Sequence, residues 1–550
     1  MRVKLKSVFF ALVLWLIRKR DGRNKANTGF PNSRGENYLF DPLFPDETGE
    51  AYFTCLNMEP EENPLSIDFS RFRYEVVKGK RYEAGKEHRI RIDEPCALPC
   101  SITGVDITRI RGPYRIDLTC NGEEIPLRRL LAERFYYLPI REPADLVLKS
   151  DQDIVIGEPI ALKQQTRNKA PFALMIFIDS FTWQIMERLS FEDDLPNISR
   201  FFSKGTVFEN AFSSSNWTIP SIASVFSGKT ITNHKMFHPR EDIVLGDGYP
   251  VISEIFKRAG YLTFQACGNH RKTPSYGYAK GFDRTIYRYR ATIGEIVESS
   301  LAQLRSFPDR DQFHWLSIFD AHTPIALTHD ISIQMALPLE AQDYHQQDAK
   351  SPMQLEPNAM RTLRYIEELK KIDFNLGRLF DYVEDTFGDD ALVCLLADHG
   401  TSFTTPDQKM LSPEKTHIAL MMRGPQIAAA RAPELVHQTD ILPCMLRSAG
   451  LSLNSEIDGQ LPAAMGGTQE RDHVVSDILY PGTTRKVVIR DHEFEFHLES
   501  EGIVDSRGEY ELGDYSYALY RRSDSLTEIT SDEPETAERF RTMALEKLAA

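Results

Sequence analysis

The sequence predicts an α/β protein. A doubly wound, mainly parallel sheet is preceded by a β-sandwich-like domain and followed by a small α+β subdomain. Three observations carry that expectation. Continuous apolar runs recur at Ala173 to Ile178, Leu262 to Ala266, Phe313 to Phe319 and Leu392 to Ala397, as strands buried on both faces of a parallel sheet require. Helical stretches such as Val251 to Ala259 and Met360 to Thr386 fall between them, and that alternation is the pattern of a doubly wound sheet. On either side of this region the apolar period drops to two.

Taken in chain order, residues 1–50 read as an apolar segment and a linker. Arg2, Lys4 and Lys6 precede an apolar run from Val8 to Ile17, and Arg18, Lys19 and Arg20 follow at once. The run is short of the roughly 20 residues that span a bilayer, and no small-x-small cleavage site follows it. Positive charge on both flanks opposes translocation and suits a segment lying on an anionic membrane surface. Peripheral membrane contact through residues 8–17 is therefore one expectation, with a location in the cytoplasm or at the cytoplasmic membrane surface. A signal segment and a docked amphipathic helix stay open. Residues 51–165 alternate at period two (Phe72, Tyr74, Val76; Ile90, Ile92; Tyr114, Ile116, Leu118), with Asn121-Gly122 as a hairpin turn. Only a stretch near Leu127 to Glu133 reads as helical. This β-rich accessory domain either packs beside the core or binds a glycan. The α/β domain occupies 170–465. From 466 to 550 short strands return (Lys486 to Arg490, Glu493 to His497, Tyr517 to Tyr520) and a charged helix ends the chain.

Composition narrows the function classes. At 550 residues the chain exceeds one ordinary core, and 41% hydrophobic with 26% charged residues is globular rather than disordered. A net charge of −15 argues against nucleic acid as the main partner. The seven cysteines are scattered without a repeated spacing, which argues against a zinc finger or disulfide scaffold and leans towards a reducing compartment. Cys96 and Cys100 read as ordinary thiols, with pairing or metal binding as the alternative.

The chemistry gathers where strands end, because open α/β sheets bind ligands beyond the carboxyl ends of their strands. The first apolar run ends at Asp179 and the second runs into Asn269-His270. The third ends at Asp320, with His322 two residues on, and the fourth at Asp398-His399-Gly400. Carboxylates with imidazole on one rim suit a divalent cation, and Mn, Mg, Ca and Zn all accept such ligands. Between the first two runs, Asn216-Trp217-Thr218-Ile219-Pro220-Ser221 joins a polar turn to an apolar helical pattern. Pro220 fits a first helical turn, which puts Thr218 at or just before the helix start. A hydroxyl there, beside a cation and the positive end of the helix dipole, can attack as an alkoxide.

The order of segments resembles the sulfatase family within the alkaline-phosphatase superfamily. After Asp179 come Leu195-Pro196-Asn197-Ile198 and Gly205-Thr206-Val207-Phe208-Glu209-Asn210-Ala211. The Trp-Thr-x-Pro-Ser segment follows, then Asp320-Ala321-His322-Thr323-Pro324 and Ala397-Asp398-His399-Gly400. Arg423-Gly424-Pro425, Thr439-Asp440-Ile441-Leu442-Pro443 and Asp458-Gly459 complete the series. The match covers about 170 to 465. It implies an alkaline-phosphatase-like sheet and one divalent metal ion held by Asp179, Asp398 and His399 with the nucleophile Thr218. It also implies an anionic ester substrate, with His322 and His417 as catalytic residues that contact the substrate or leaving group, one of which protonates the departing oxygen. The β-rich domain beside such a core and the membrane-surface segment suggest a glycan or cell-envelope setting. Asn216, His234 and Lys415 are the lesser substrate-binding candidates.

Two departures redirect the expected chemistry. Sulfatases carry Cys or Ser in a C/S-x-P-x-R motif and oxidise it to formylglycine; Thr218 cannot give that aldehyde, and Ile222 replaces the Arg. The usual acidic pair after the first strand is Asp179-Ser180 here. A Thr nucleophile is more similar to phosphoglycerol and phosphoethanolamine transferases and to nucleotide phosphodiesterases. The expectation is thus a hydrolase or phosphotransferase for a phosphoryl-type ester, acting through a phosphothreonine. A formylglycine-free sulfatase and a catalytically silent glycan-binding protein are the competing readings.

Overall fold

The computed structural model describes residues 50–56, 73–103, 112, 114–132, 134–164, 167–237, 244–246, 248–269, 276–288, 291–322, 355–452 and 455–549. The apolar run Val8 to Ile17, the linker to residue 49, His270, and Thr323 with Pro324 lie outside them. Among the described residues no helix is long and apolar enough to cross a membrane.

Eight strands form the centre: β1 (Phe172–Ile178), β2 (Thr206–Phe212), β3 (Leu262–Cys267), β4 (Arg284–Arg288), β5 (Gln312–Ile318), β6 (Ala391–Leu396), β7 (Leu420–Arg423) and β8 (Ala430–His437). They lie in the order β4-β3-β5-β1-β6-β7-β2-β8. β7 runs against both neighbours and every other adjacent pair is parallel, so the carboxyl ends of the remaining strands share one rim. Every residue of β1, β3, β5 and β6 is buried, which is why these segments read as unbroken apolar runs. Helices α1 (Thr218–Ser227) and α4 (Ile441–Ala449) pack together, as do α2 (Ile293–Ser306) and α3 (Ala359–Phe387), and α3 and α4 both lie on β6.

The N-terminal region departs from a free-standing sandwich. Strand Arg73–Tyr82 pairs antiparallel with β4, and Ile154–Gly157, Cys96–Ile102 and Ile160–Ala161 continue outward from it. The result, among the described residues, is one 14-stranded sheet. A separate four-stranded sheet (Glu87–Ile92, Ala144–Lys149, Tyr114–Cys120, Glu123–Leu130) covers its outer part over a core of Leu98, Cys100, Ile116, Leu118, Leu146 and Leu148. The sandwich therefore shares one layer with the central domain. Residues near Leu127 to Glu133, expected to be helical, instead include the strand Glu123–Leu130, which pairs with Tyr114–Cys120 across Asn121-Gly122. Both turn residues have positive φ, 49° and 87°, the geometry of a tight hairpin. Pro126 is tolerated because this strand lies at the sheet edge. Cys96 and Cys100 are free thiols on one strand.

At the C-terminus five antiparallel strands (Val474–Ile478, Thr484–Arg490, Phe494–Ile503, Tyr515–Arg521, Asp524–Glu528) carry helix Pro534–Ala549 on an apolar face built from Val487, Ile489, Phe496, Leu519 and Phe540.

Candidate active site

Sheet register assembles the site. β1 and β6 are parallel and in step, with Phe177 opposite Leu396, so the chain continues to Asp179 beside Asp398 at the carboxyl rim. His399 follows directly. Carboxylate oxygens of Asp179 and Asp398 and a ring nitrogen of His399 lie within 4.8 Å of one another, and all three residues are buried. The turn after β6 is tight: a Cβ on Gly400 would sit 1.8 Å from the Glu414 carbonyl oxygen, so this position of the Asp-His-Gly segment must be glycine. The turn after β1 is held in an uncommon conformation. Ser180 has φ 66°, and this places its amide 3.1 Å from Asp398 Oδ1 and its hydroxyl 2.9 Å from Asp179 Oδ1.

Hydrogen bonds orient each group. The His399 amide donates to Asp398 Oδ1 at 2.8 Å. His399 Nδ1 donates to the Gly400 carbonyl at 2.8 Å, which turns Nε2 towards Asp398 Oδ2 at 3.1 Å and Asp179 Oδ1 at 4.0 Å. The side-chain amide of Asn269 donates to Asp179 Oδ2. Asp398 Oδ2, although buried, accepts no well-formed hydrogen bond from any described residue. A buried carboxylate oxygen without a donor is costly. Two carboxylates, an outward-turned Nε2 and an orphaned oxygen fit a divalent cation, and the hydrogen bond behind His399 is the kind that orients a metal-binding imidazole.

Burial and the Asp398 charge push the Asp179 carboxyl well above its ordinary value. Burial acts to raise Asp398 too, but the His399 charge and the surrounding donors outweigh it and leave its carboxyl lowered. Burial opposes a charged His399 ring, yet Asp398 and Asp179 hold it at about 9. The pocket thus favours positive charge between the two carboxylates.

Helix α1 aims at the same point. Thr218 is its first residue, Trp217 stands at the cap, and no side chain caps the start. Pro220 sits where its missing N–H has no helical acceptor to lose. All ten residues of α1 are buried, and the Ser hydroxyls find local partners, Ser221 on the Ser215 carbonyl and Ser227 on that of Ala223. The Thr218 side chain reaches the Asp398 carboxylate and helps to lower its pKa. His322 also arrives: its Nε2 lies 4.0 Å from Asp179 Oδ1, and its ring stacks on Phe319 at 4.4 Å.

The other expected site residues have different partners. His417 is pinned between Trp183 and Phe212, at 5.7 and 4.6 Å between ring centres. Its Nε2 donates to the Glu209 carbonyl at 2.7 Å, and Gln184 approaches Nδ1 at 3.3 Å. Burial drops its pKa to about 3. The ring is thus neutral, and both of its nitrogens already face protein partners. His234 lies beneath α1: Nδ1 accepts from the Met236 amide at 2.9 Å, and Nε2 faces Ser224 Oγ at 3.1 Å. Lys415 is fully buried with Nζ on the carbonyls of Lys409 (2.8 Å) and Gln408 (3.2 Å), and burial lowers its pKa to about 8. Asn216 donates to the Met410 carbonyl at 2.8 Å. Lys415 and Asn216 thus hold one loop, residues 408–410. Asp320 accepts from the Ile293 amide at the start of α2 and lies 3.6 Å from Lys371, so it serves that helix end.

Three contributors escaped the sequence reading. Asn269 was visible as a strand end but carried no assigned role. Ser180 looked like a vacated acidic position, yet its backbone shapes the site. Tyr365 had no signal at all: from the second turn of α3 its hydroxyl donates to the Ser180 carbonyl at 2.6 Å and accepts from the Thr182 amide at 3.3 Å.

A sequence model of the family described as Sulfatase matches residues 171–451, just over half of the chain. Among solved structures, the chain is similar to a phosphonate monoester hydrolase from Silicibacter pomeroyi, at 16% identity and TM-score 0.54 over 70% of this chain and 95% of that one. A phosphonate monoester hydrolase of Agrobacterium radiobacter matches at 16% identity and TM-score 0.51, over 69% and 95%. A 2-O GAG sulfatase matches at 16% identity and TM-score 0.52, over 69% and 92%. These likenesses establish the fold. No curated protein matches the chain.

Proposed function

The chain belongs to the sulfatase family of the alkaline-phosphatase superfamily, and from that premise we propose that it is a metal-dependent hydrolase or phosphotransferase for phosphoryl-type esters, with Thr218 as nucleophile. One observation carries the reading: Thr218 opens a buried, uncapped helix whose start lies beside the Asp179–Asp398–His399 cluster, near enough for its side chain to help lower the Asp398 carboxyl. Residues more than 200 positions apart converge there on one point.

Asp179, Asp398 and His399 would hold a divalent cation, which supplies Lewis-acid stabilisation of charge on the ester's oxygens. The residues divide the remaining work. The open start of α1 favours the anionic ester and the charge that develops in the transition state. Its burial excludes bulk water from the nucleophile, and the neighbouring carboxylates accept the Thr218 proton as Oγ1 attacks phosphorus in line. The P–O bond to the leaving group breaks, and His322, the partly exposed imidazole beside Asp179, protonates the departing oxygen. Water, or an acceptor hydroxyl, then takes the phosphoryl group from Thr218.

A sulfate ester is the second reading, favoured by the family match itself. Against it stands Thr218, which offers no aldehyde hydrate and so no hemiacetal route for releasing sulfate. A glycan-linked ester remains the substrate class suggested by the glycosaminoglycan sulfatase among the structural neighbours.

Thr218→Ala, assayed on aryl phosphate, phosphodiester, phosphonate monoester and aryl sulfate substrates, should lose at least about 10³-fold in turnover on the best of them. Wild-type protein quenched during turnover should carry a phosphoryl adduct on Thr218 by intact mass. Undiminished turnover by the variant rejects the mechanism, and a sulfated rather than phosphorylated adduct selects the second reading.

A further inference from the structure

A second polar cavity opens at the same rim, where β2 ends. It has a volume of about 380 Å³ and is lined by groups from two parts of the chain. Asn210, Phe212 and Arg431 come from the α/β domain, Arg490 from a strand of the C-terminal sheet and Arg522 from the turn after its strand Tyr515–Arg521. β2 lies two strands from β6, whose end carries Asp398, and at about 4.8 Å per strand the separation is on the order of 10 Å.

The three guanidinium groups are not equivalent. Arg431 Nε donates to Glu209 Oε1 at 2.5 Å, so these two charges cancel. Arg490 is fully buried, and its Nε donates to Glu495 Oε2 at 2.6 Å. Arg522 differs. Its donors go to the Asp491 carbonyl at 3.0 Å and Asn210 Oδ1 at 2.5 Å, both neutral, and among the described residues no carboxylate lies within ion-pair distance of it. Arg522 and Arg490 both stand over the Phe212 ring, at 5.1 and 5.2 Å from its centre, so like charges are held close. The remaining lining acid, Glu187, accepts from the Trp183 indole at 3.0 Å. Arg490 has its own carboxylate, whereas a half-buried cation whose side-chain hydrogen bonds all go to neutral oxygens keeps a desolvation cost that a visiting anion would offset.

We propose that this cavity is an oxyanion subsite, in which Arg522 receives a sulfate, phosphate or carboxylate group through its planar fork. The shape of guanidinium suits that class of ligand. The volume admits one charged sugar-sized unit, and a substrate reaching about 10 Å from the scissile ester would place a second anionic substituent here. The same chemistry is offered by a free oxyanion acting as an effector. The substrate assignment rests on the catalytic reading above; the binding assignment does not.

Arg522→Gln keeps an amide to face Asn210 and removes the charge. In the metal-loaded protein, stabilisation against heat by inorganic sulfate is compared between wild type and variant. The cluster of Asp179, Asp398 and His399 is unchanged in both, so the difference reports this cavity. The apparent Kd for sulfate should rise at least about ten-fold in the variant, and Arg522→Lys should fall between the two. In kinetics, a second anionic group on the substrate should lower KM in wild type and not in Arg522→Gln, with kcat on a singly charged aryl ester unaffected. A KM effect marks a substrate subsite; a sulfate effect with no KM effect marks a free oxyanion. Equal sulfate stabilisation and equal KM in wild type and variant overturn the proposal, whatever the fate of Thr218.

Discussion

Two charged clusters, each built on buried carboxylates, stand at opposite ends of this chain's logic. In the C-terminal sheet Glu495 takes Arg490 Nε on one oxygen, at 2.6 Å, and His497 Nε2 on the other, at 2.5 Å. Arg490 also donates to the Leu411 carbonyl and, at 3.5 Å, to Ser476 Oγ. Every strong group there has a partner. At the rim of the central sheet Asp179 and Asp398 share one histidine, and Asp398 Oδ2 has the His399 ring at 3.1 Å but no well-formed hydrogen bond from any described residue. Burial is the same; completeness is not. A closed cluster fixes how elements dock, whereas an open one keeps a place for something the protein must bind.

The sharpest way to break this contrast is Asp398→Asn. The amide oxygen still accepts from Ser180 and His399, so the turn survives, but one of two crowded carboxylates becomes neutral. Turnover should fall by about 10³-fold or more, and divalent metal measured by elemental analysis should drop from stoichiometric to background. The metal-free variant should unfold at a temperature no lower than metal-free wild type. Stoichiometric metal in the variant would remove the cluster from the mechanism.

Glu495→Gln asks the opposite question and should act on stability alone. It strands Arg490, fully buried, without a counter-charge, at a cost of roughly 3–5 kcal/mol in denaturant unfolding. The pH dependence has a definite sign. Burial acts to raise the Glu495 carboxyl, but Arg490 and His497 outweigh it and hold it at about 2, below the ordinary 4.5. The folded state is therefore favoured above pH 4.5, and that contribution is lost as the pH falls towards 2. The gap between wild type and Glu495→Gln should close over this window. A gap under about 1 kcal/mol at pH 7, the size of an exposed pair, would mean that the cluster is wet.

The open cluster was legible in the sequence and the closed one was not. Asp179 and Asp398-His399 each end an unbroken apolar run, and a parallel sheet must bring such ends to one rim. Thr218 announced itself through Pro220 and the switch to a helical pattern. Arg490 and Glu495 sit on two short strands whose pairing depends on a turn, and nothing in alternation says which residues of such strands will face each other. The same blindness hid the junction between Arg73–Tyr82 and β4: period two shows that a segment is a strand, not which edge it joins. Histidines show the same limit. His322, His417 and His234 look alike in sequence, and only packing shows that the first stays beside the carboxylates while the others are sealed by aromatic rings or under α1. Tyr365, in the second turn of α3, contributes through its hydroxyl alone, and its helical spacing is what any core residue would show.

His234 offers the smallest and most discriminating test, because it connects to the open cluster only through α1. Burial holds its pKa at about 3, far below the ordinary 6.5, so the folded state keeps it neutral. The unfolded chain then binds the proton first, and stability rises with pH from about 3 to 6.5 and is complete above. Replacement by Asn, which cannot span the gap between the Met236 amide and Ser224, should cost about 1–2 kcal/mol at pH 8 for the lost bonds. The loss should shrink between pH 6.5 and 5 as wild type gives up its own advantage; His314, His417 and His437, all similarly depressed, cancel in the subtraction. Turnover should fall several-fold, with metal content intact, because the start of α1 shifts while Asp179, Asp398 and His399 do not. If metal is lost along with activity, α1 and the cation site are one cooperative unit, and the division between an open cluster that binds and a scaffold that merely presents Thr218 to it fails.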